Sequence, residues 1–450
     1  MTTAVEPGTA RSPGVSYQEL LDTDPHPVPE VLRLESPRFL GDADIPKERF
    51  VSRDWHEREA ARLWPRVWQF ACREEHLPEV GSYIVYDIVN LSFVVMRTKP
   101  DEIKAYRNVC LHRGRQLKDY DGRCSELRCP YHGFSWQLDG RLKHIPARWD
   151  FPHIDAREWS LPEAKVGTWA GFVFINPDPE AGPLADVLGE MPEHFERWNL
   201  EDRYVQAHVA KIIPANWKIV QEAFSESFHA GTTHPQTLPY LGDVNSQVDV
   251  WDTFSRIITA GGTVSPQLRW DPTEDEILRY MLDTRVDEDA FVPLKPGQTA
   301  RAAAAQVARD RWRPVVGDHV DDWCDAEFID NFDYTLFPNF HPWGAYNRIC
   351  YRFRPNGDDH RSAVMEVFFL APFTGERPPP ADCHRLEVDE PWTDAPELGM
   401  LAKVFEQDSF NMPKVQKGLE GAAKPGVTLA NYQESKVRWF HQLLNEWVGD

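Results

Sequence analysis

Two short cysteine–histidine pairs carry the residue types most able to do chemistry in this sequence. Cys110 and His112 are separated by one residue, Cys129 and His132 by two, and sixteen residues lie between the pairs. Thiolate sulfur and neutral imidazole nitrogen are ligands that proteins offer to zinc and to iron–sulfur clusters. Two such pairs on separate loops can clamp one metal centre between two hairpin tips. The sequence therefore predicts a centre held by these four residues.

The mixture of ligands within each pair indicates which centre this is. In a Rieske [2Fe-2S] cluster, two thiolates bind one iron and two imidazoles bind the other. A Cys-x-His pair followed by a Cys-x-x-His pair is specific to that arrangement, so the sequence predicts one [2Fe-2S] cluster per chain. A structural zinc ion is the alternative, although zinc fingers usually place two cysteines in one pair and two histidines in the other.

A second group of possible metal ligands lies further along the chain. Glu226 and His229 are three residues apart, which places them on one face of a predicted helix, and His234 follows a possible turn at Gly231. Two histidines with one distant carboxylate form the facial triad by which O₂-activating enzymes hold Fe(II). Taken alone, the two histidines are better explained as surface or satisfied core residues. The metal centre predicted upstream favours the iron interpretation.

The two groups, their order and their separation resemble the α subunits of Rieske non-haem iron ring-hydroxylating oxygenases over about residues 45–445. The resemblance implies that the cysteine–histidine pairs hold the cluster and that His229 and His234 bind a mononuclear Fe²⁺. The third ligand in that family is an aspartate in a Glu-Gln-Asp sequence on a late helix, which corresponds here to Asp408. Glu406 is its nearest rival.

The same resemblance gives Glu226 a role of its own. An acidic residue three positions before the first iron histidine, usually aspartate, bridges the cluster and the mononuclear iron in the family. Glutamate keeps the charge but changes the reach of the carboxylate, and the preceding Gln221 and Glu222 depart from the usual Glu-Asn. These departures indicate a divergent subgroup, and Glu-bridged members include enzymes that act on quaternary ammonium compounds.

Elements that can position these residues follow from hydrophobic periodicity and turn residues, and together they predict an α+β fold. Alternating strands around the first pairs indicate a small antiparallel β domain at 66–178, preceded by an N-terminal arm and helix at 1–65. Strands and helices alternate over 179–450, as expected for a catalytic domain with a twisted antiparallel sheet covered by helices. The predicted strands are Ser82–Val89, Leu91–Arg97, Ile103–Val109, Gly171–Asn176, Tyr204–Ile213, Tyr334–Phe340, Tyr346–Phe353 and Ala363–Leu370. The predicted helices are Glu57–Trp68, Leu184–Trp198, Trp217–Phe228, 396–420 and 431–447.

Composition excludes several other classes of protein. The 450 residues carry a formal net charge of −22, which argues against a nucleic-acid partner. No apolar run approaches the length needed to cross a membrane, and the N-terminus shows no secretory signal. The seven cysteines are odd in number and widely spread, unlike a disulfide framework. We expect a cytoplasmic protein.

The resemblance implies an oxygenase component that uses O₂ and electrons from NAD(P)H. Since the chain has neither a GxGxxG fingerprint nor a ferredoxin cysteine pattern, a separate flavin reductase, and possibly a ferredoxin, must supply the electrons. The family assembles as a trimer, in some members with a β subunit. Aromatic residues around Phe224, Phe228 and Phe337–Trp343 suggest a pocket for an aromatic or polycyclic substrate. A quaternary ammonium or steroid substrate is the alternative, and a Rieske electron carrier or a zinc-stapled binding protein are alternatives of other classes.

Overall fold

The elements of the protein are taken from a computed structural model, which describes residues 6–282 and 294–449. The helices are α1 (Tyr17–Leu21), α2 (Glu30–Arg33), α3 (Glu48–Val51), α4 (Arg53–Arg62), α5 (Leu184–Leu188), α6 (Met191–Phe195), α7 (Trp217–Glu222), α8 (Ala230–Thr233), α9 (Glu274–Met281), α10 (Ala300–Val316), α11 (Ala326–Ile329), α12 (Leu401–Gly421) and α13 (Ser435–Val448). The strands are β1 (Ile45–Pro46), β2 (Gln69–Arg73), β3 (Ser82–Ile88), β4 (Leu91–Lys99), β5 (Glu102–Arg107), β6 (Gly122–Arg123), β7 (Leu127–Arg128), β8 (Ser135–Trp136), β9 (Leu142–His144), β10 (Glu163–Trp169), β11 (Phe172–Asn176), β12 (Arg203–Ile213), β13 (Gln247–Val250), β14 (Phe254–Thr259), β15 (Asn331–Leu336), β16 (His341–Pro342), β17 (Ile349–Asn356), β18 (Asp359–Pro372), β19 (Cys383–Leu386) and β20 (Gly426–Val427).

A seven-stranded antiparallel sheet dominates the part of the chain around the cysteine–histidine pairs. Its strand order is β2-β11-β10-β5-β4-β3-β6, and a small sheet of order β7-β8-β9 accompanies it. Tyr106 of β5 and Trp136 of β8 belong to one buried hydrophobic cluster, which also includes Cys110 and Cys129. The two cysteine loops are therefore anchored in the core between the two sheets.

The second large sheet has the order β16-β17-β18-β12-β19. Its two longest strands, β12 and β18, pair antiparallel from Arg203 opposite Pro372 to Ile213 opposite Ala363. A separate three-stranded sheet is formed by β13, β14 and β15, and α7 packs against β17 and β18. Helices and mainly antiparallel sheets confirm the predicted α+β class. The division at 65/66 and 178/179 stays a prediction.

Most predicted strands appear with shifts of a few residues at their ends, but three predicted helices are wrong in part. The helix predicted at Glu57–Trp68 begins at Arg53 and ends at Arg62. The helix predicted at Leu184–Trp198 is broken at Gly189, which has a φ of +53°, a conformation that suits glycine. The helix predicted at Trp217–Phe228 ends at Glu222. Within the described ranges, no helix combines the length and apolar character required for a membrane span.

Candidate iron sites

The two cysteine–histidine pairs lie on loops with the same backbone hydrogen bonds. In the first loop, the carbonyl of Cys110 accepts a bond from the N–H of Gly114 at 3.0 Å, and the N–H of Cys110 donates to the carbonyl of Arg115 at 2.8 Å. Gly114 has a φ of +75°, which lets the loop close this tightly. The second loop repeats both bonds at the same lengths with Cys129, Gly133 and Phe134.

These paired loops present a donor set that fits a mixed Cys/His cluster. Cys110 and Cys129 are buried and form no disulfide, and the rings of His112 and His132 lie with their centroids 4.7 Å apart. The Nδ1 atom of His112 is buried and has no hydrogen-bond partner among the described residues. An imidazole nitrogen in this state is suited to a metal. The structure thus places the two histidines side by side and the two cysteines close to each other, on the two predicted loops.

The three predicted iron ligands also meet. One carboxylate oxygen of Asp408, Oδ1, lies 2.8 Å from Nε2 of His234 and 3.6 Å from Nε2 of His229. The ligand atoms of the three side chains all lie within 4.8 Å of one another. Two imidazoles and one carboxylate that converge in this way fit a facial triad for Fe(II).

The opposite ring nitrogens of the two histidines are held by acceptors. Nδ1 of His229 lies 2.6 Å from Oε1 of Glu226, and Nδ1 of His234 lies 2.8 Å from Oε1 of Gln407. Each Nδ1 can therefore carry the proton and donate it, which leaves the Nε2 lone pair directed at the site. Gln236 donates to the same oxygen of Gln407 at 2.7 Å and fixes that amide.

The backbone around His229 differs from the helix that the sequence predicts. After α7 ends at Glu222, the Glu226 carboxylate accepts the backbone N–H of His229 at 3.1 Å, a bond that a carbonyl would accept in a continuous helix. Glu226 and His229 thus meet through a side-chain bond in a turn and not on a helix face. His234 follows α8 as its C-terminal cap.

Asp408 and its rival Glu406 point to different places. Asp408 lies on the buried side of α12 and is 4% exposed. Glu406 instead accepts the backbone N–H of Trp392 at 2.9 Å. The structure therefore places Asp408, and not Glu406, beside the two histidines.

Electrostatics at the site favour a bound cation. Burial lowers the pKa of His229, but the hydrogen bond to Glu226 and the nearby carboxylates of Glu226 and Asp408 outweigh it, and the net shift is upward. Burial also raises the pKa of Tyr351 well above its usual value, and the charges of Asp333 and Asp408 add to this effect. The excess of negative charge around these side chains is the environment that Fe²⁺ requires.

A cavity of about 780 Å³ extends from the iron ligands into the catalytic domain. Of the predicted pocket residues, Phe224 and Trp343 line it. Phe228 is not among its lining residues and is 39% exposed, and Phe340 is buried in a hydrophobic cluster elsewhere. The aromatic wall is completed by side chains that the sequence did not single out, chiefly Tyr346, Tyr351, Phe369 and Phe405.

Sequence reasoning missed two kinds of functional residue. Gln407 was read only as part of the context of Asp408, although its position next to the ligand was a usable signal. Asp333 and Arg348 also line the cavity, and the position of Asp333 depends on a cross-strand bridge that no local pattern reveals.

The family of the chain follows from comparison with known proteins. Residues 190–450 match the family described as ring hydroxylating alpha subunit (catalytic domain), and residues 67–155 match the Rieske [2Fe-2S] domain. The chain belongs to the ring-hydroxylating α-subunit family and carries a Rieske domain. Together with the ligand geometry, this membership identifies its cofactors as a [2Fe-2S] cluster and a mononuclear iron, and it disfavours zinc.

Individual relatives include both mono- and dioxygenases. The chain is 30% identical over 200 residues to the carnitine monooxygenase oxygenase subunit of Escherichia coli (strain K12), a stretch that is 42% of this chain and 52% of the relative. It is 31% identical over 191 residues to the benzene 1,2-dioxygenase α subunit of Pseudomonas putida, which is 41% and 42% of the two chains. The chain thus aligns with about half of the length of these curated relatives.

Solved structures share the fold over most of the chain. A quaternary ammonium Rieske monooxygenase in complex with L-carnitine matches with a TM-score of 0.63 at 18% identity, covering 92% of this chain and 99% of that one. Naphthalene 1,2-dioxygenase bound to phenanthrene matches with a TM-score of 0.61 at 18% identity, covering 89% and 91%. At these identities the likeness establishes the fold alone.

Proposed function

We propose that this protein is the oxygenase component of a multicomponent Rieske oxygenase, which uses O₂ and electrons from NAD(P)H to oxygenate an organic substrate. The observation that carries the proposal is the convergence of His229, His234 and Asp408 on the wall of a large cavity, in a chain that also carries the candidate cluster ligands. A separate flavin reductase, with or without a ferredoxin, delivers the electrons. The chain works as a homotrimer, either alone or together with a separate β subunit.

The protein side chains supply orientation and exclusion of water. When bound, the cluster stores an electron and the iron offers open positions for O₂ beside the substrate. Glu226 and Gln407 fix the ring orientation of the two iron histidines, because each accepts a bond from the Nδ1 side. Glu226 is partly exposed and also bridges His229 to a cluster histidine of a neighbouring chain.

The favoured substrate class is a quaternary ammonium compound that undergoes monooxygenation. Three aromatic rings of Phe224, Tyr351 and Phe405 lie with centroids 5.2–6.0 Å apart on the cavity wall nearest Asp408. Aromatic faces attract a desolvated cation, and the carboxylate of Asp408 reinforces that attraction. The glutamate at position 226 and the carnitine monooxygenase relatives support the same class.

An aromatic or polycyclic substrate is the second candidate. A volume of about 780 Å³ falls in the range of pockets that hold drug-sized ligands, and it has room for more than a small betaine. The benzene dioxygenase relative also favours this class. A steroid would fit the same reasoning.

The proposal is tested by product analysis with a reconstituted electron-transfer chain. Protein loaded with cluster and iron is supplied with NADH, a flavin reductase and ferredoxin, ¹⁸O₂, and a panel that contains L-carnitine, γ-butyrobetaine, biphenyl, naphthalene and a steroid. We expect substrate-dependent incorporation of ¹⁸O into one class of compound. If the cluster is reduced and reoxidised but no compound of the panel is labelled, the protein would be an electron carrier without oxygenase activity. A colourless protein that contains zinc would overturn both the oxygenase and the electron-carrier interpretations.

A further inference from the structure

Two arginines line the cavity without a carboxylate partner. Arg348 lies just before β17 and Arg311 lies on α10, and both side chains form part of the cavity wall. Within residues 6–282 and 294–449, neither guanidinium forms an ion pair with a carboxylate. Arg348 is half-buried and Arg311 is exposed. A guanidinium that loses part of its hydration without gaining an anion is unfavourable, so the pair requires an explanation.

The guanidinium of Arg348 is held on two sides and still has free nitrogens. Its Nη1 donates to Oε1 of Gln206 at 2.6 Å, and its Cζ lies 5.3 Å from the centre of the Phe369 ring. Gln206 occupies a bulge of β12, where the register against β18 shifts between Val205 and Ala207. Among the described residues, Nε and Nη2 of Arg348 have no hydrogen-bond partner. Neither of these two nitrogens is a fully buried atom, so both remain accessible to a ligand.

Both arginines lie at the same end of the cavity. The ring of Trp312, the residue next to Arg311 on α10, has its centroid 4.8 Å from that of Tyr346, two residues before Arg348. Burial lowers the pKa of Arg348, and the nearby positive charge of Arg311 adds to this effect. Two like charges therefore share one part of the cavity, which favours an anion between them.

The end of the cavity that carries the arginines is separate from the iron site. Tyr351 has its ring 5.9 Å from that of Phe405, which lies one helical turn before the candidate iron ligand Asp408. Arg348 precedes Tyr351 by three residues on an extended chain, which corresponds to about 10 Å at the rise of a β-strand. The arginines are therefore displaced from the part of the cavity where a substrate would react.

The charges on the cavity wall are arranged in the same way. Glu226 and Asp408 are acidic and contact the candidate iron histidines. Two further carboxylates on the wall are neutralised by buried cations, in the ion pairs Asp330–Arg301 at 2.6 Å and Asp333–Lys436 at 2.8 Å. The cavity is therefore negative beside the candidate iron ligands and positive at the two arginines.

We infer that Arg348 and Arg311 bind a carboxylate, or another compact oxyanion, on the part of the substrate remote from the reacting atom. A guanidinium presents N–H donors in a fork that matches the two oxygens of a carboxylate, and partial burial strengthens the ion pair. The inference rests on the proposed oxygenase function and adds that the natural substrate is an organic acid. In the favoured class the substrate is a zwitterion, with its quaternary ammonium group at the aromatic rings and its carboxylate at the arginines.

The test compares carboxylates with the corresponding carboxamides, which keep the size of the group but remove its charge. The two pairs are γ-butyrobetaine with its carboxamide, and biphenyl-4-carboxylate with its carboxamide. Dissociation constants are measured by calorimetry at low ionic strength on protein loaded with cluster and iron. We expect the carboxylate of at least one pair to bind about tenfold or more tightly than its carboxamide, the effect of a hydrogen bond to a charged group. The ratio should fall as the salt concentration rises.

Variants of the arginines connect this preference to the cavity. Arg348→Met keeps an apolar stem but removes the charge, and it should reduce the ratio to about threefold or less, whereas Arg348→Lys keeps the charge and should retain more of the ratio. Arg311→Met should also lower the ratio. Arg313→Met is the matched control, because Arg313 lies on the same helix outside the cavity wall and pairs with Asp321 at 2.6 Å. It should leave the ratio unchanged.

Equal or weaker binding of the carboxylate in both pairs, or failure of all four compounds to bind at millimolar concentration, would overturn the inference. So would a ratio that survives in Arg348→Met. Thermal unfolding separates loss of recognition from loss of fold, and if Arg348→Met does not fold, the exposed Arg311 decides the question through Arg311→Met. Binding does not require turnover, so a carboxylate preference without oxygenated product would contradict the proposed function alone. Turnover without a carboxylate preference would contradict the role of the arginines alone.

Discussion

At the iron site, a single oxygen of Asp408 faces the Nε2 atoms of both histidines, while Glu226 and Gln407 occupy the Nδ1 sides. The carboxylate supplies the negative charge that two neutral imidazoles lack. Because this charge is central to binding Fe²⁺, the identity of the third ligand is the most consequential assignment at this scale.

Asp408→Ala should lose the mononuclear iron and lower oxygenation by more than about 100-fold, with the cluster spectrum unchanged. Glu406→Gln is the matched control, since it changes a carboxylate two residues away on α12 that binds the backbone of Trp392. Iron content and product formation are measured for both. Full activity in Asp408→Ala together with inactivity in Glu406→Gln would reverse the assignment.

Glu226→Gln should slow oxidation of the pre-reduced cluster by orders of magnitude in a single turnover with substrate and O₂. The amide replaces one acceptor oxygen by a donor, so it cannot accept from both Nδ1 and the backbone N–H of His229 as the carboxylate does. Glu226→Asp keeps both acceptor oxygens and should retain more of the rate. Cluster oxidation at the wild-type rate in Glu226→Gln would show that electrons take another route.

The candidate ligand residues could be proposed from sequence because ligand type and close spacing are local properties. Gln407 was not assigned, since a glutamine beside a ligand becomes an acceptor for His234 only when α12 is docked. Asp333 was out of reach for a stronger reason, although Trp343 belonged to the predicted aromatic run. Asp333 lies beside Trp343 through a cross-strand bridge, which no local sequence pattern reveals.

Among the elements, helix α12 places Asp408 beside the two histidines. Its buried positions follow a helical stripe, which comprises Ala402, Phe405, Asp408, Met412 and Gln416. At the end of this stripe, Oε1 of Gln416 accepts the backbone N–H of Asn216 at 2.9 Å. Asn216 caps α7, the helix that leads to Glu226 and His229. This hydrogen bond therefore joins the two segments that carry the candidate iron ligands.

Gln416→Ala should lower the free energy of unfolding by about 1–3 kcal/mol, because it leaves a buried N–H without a partner, and should weaken iron binding by about tenfold. Ser52→Ala is the control: it removes the side-chain cap of α4 and should cost about 1 kcal/mol without affecting iron. Thermal unfolding and iron titration against a chelator measure both effects. Loss of stability with wild-type iron affinity in Gln416→Ala would mean that this bond does not position the site.

Strands such as β3 and β4 were predicted well, because period-two alternation marks the strand and turn residues mark its two ends. The helix predicted through Glu226 was wrong beyond Glu222. Its sequence permits a helix, but the Glu226 carboxylate competes for the N–H of His229, and a side-chain bond of this kind leaves no periodic signal.

At the scale of the whole molecule, fold and substrate are separate questions. The chain shares its fold with a carnitine-bound monooxygenase and with naphthalene 1,2-dioxygenase at the same 18% identity. The same fold is therefore found with both kinds of ligand, and we expect the residues that line the cavity, among them Tyr351, to decide the substrate of this chain. How the two sheets place that wall depends on long-range pairing, which explains why the sequence identified the cofactors more readily than the substrate.

Electron transfer between neighbouring chains of the proposed homotrimer can be distinguished from electron transfer within one chain. If electrons pass from the cluster of one chain to the iron of its neighbour, a chain without a cluster (Cys110→Ala) and a chain without iron (His234→Ala) should complement each other when co-expressed. In a head-to-tail ring assembled at random from equal amounts, about a quarter of the junctions join a working cluster to a working iron. We expect about that fraction of wild-type turnover from the whole co-expressed preparation, or about a third from mixed trimers alone, because each mixed ring has one working junction of three. Native mass spectrometry verifies the composition, and the variants purified separately should show no turnover. Inactive mixed trimers of the correct mass would mean that each chain reduces its own iron.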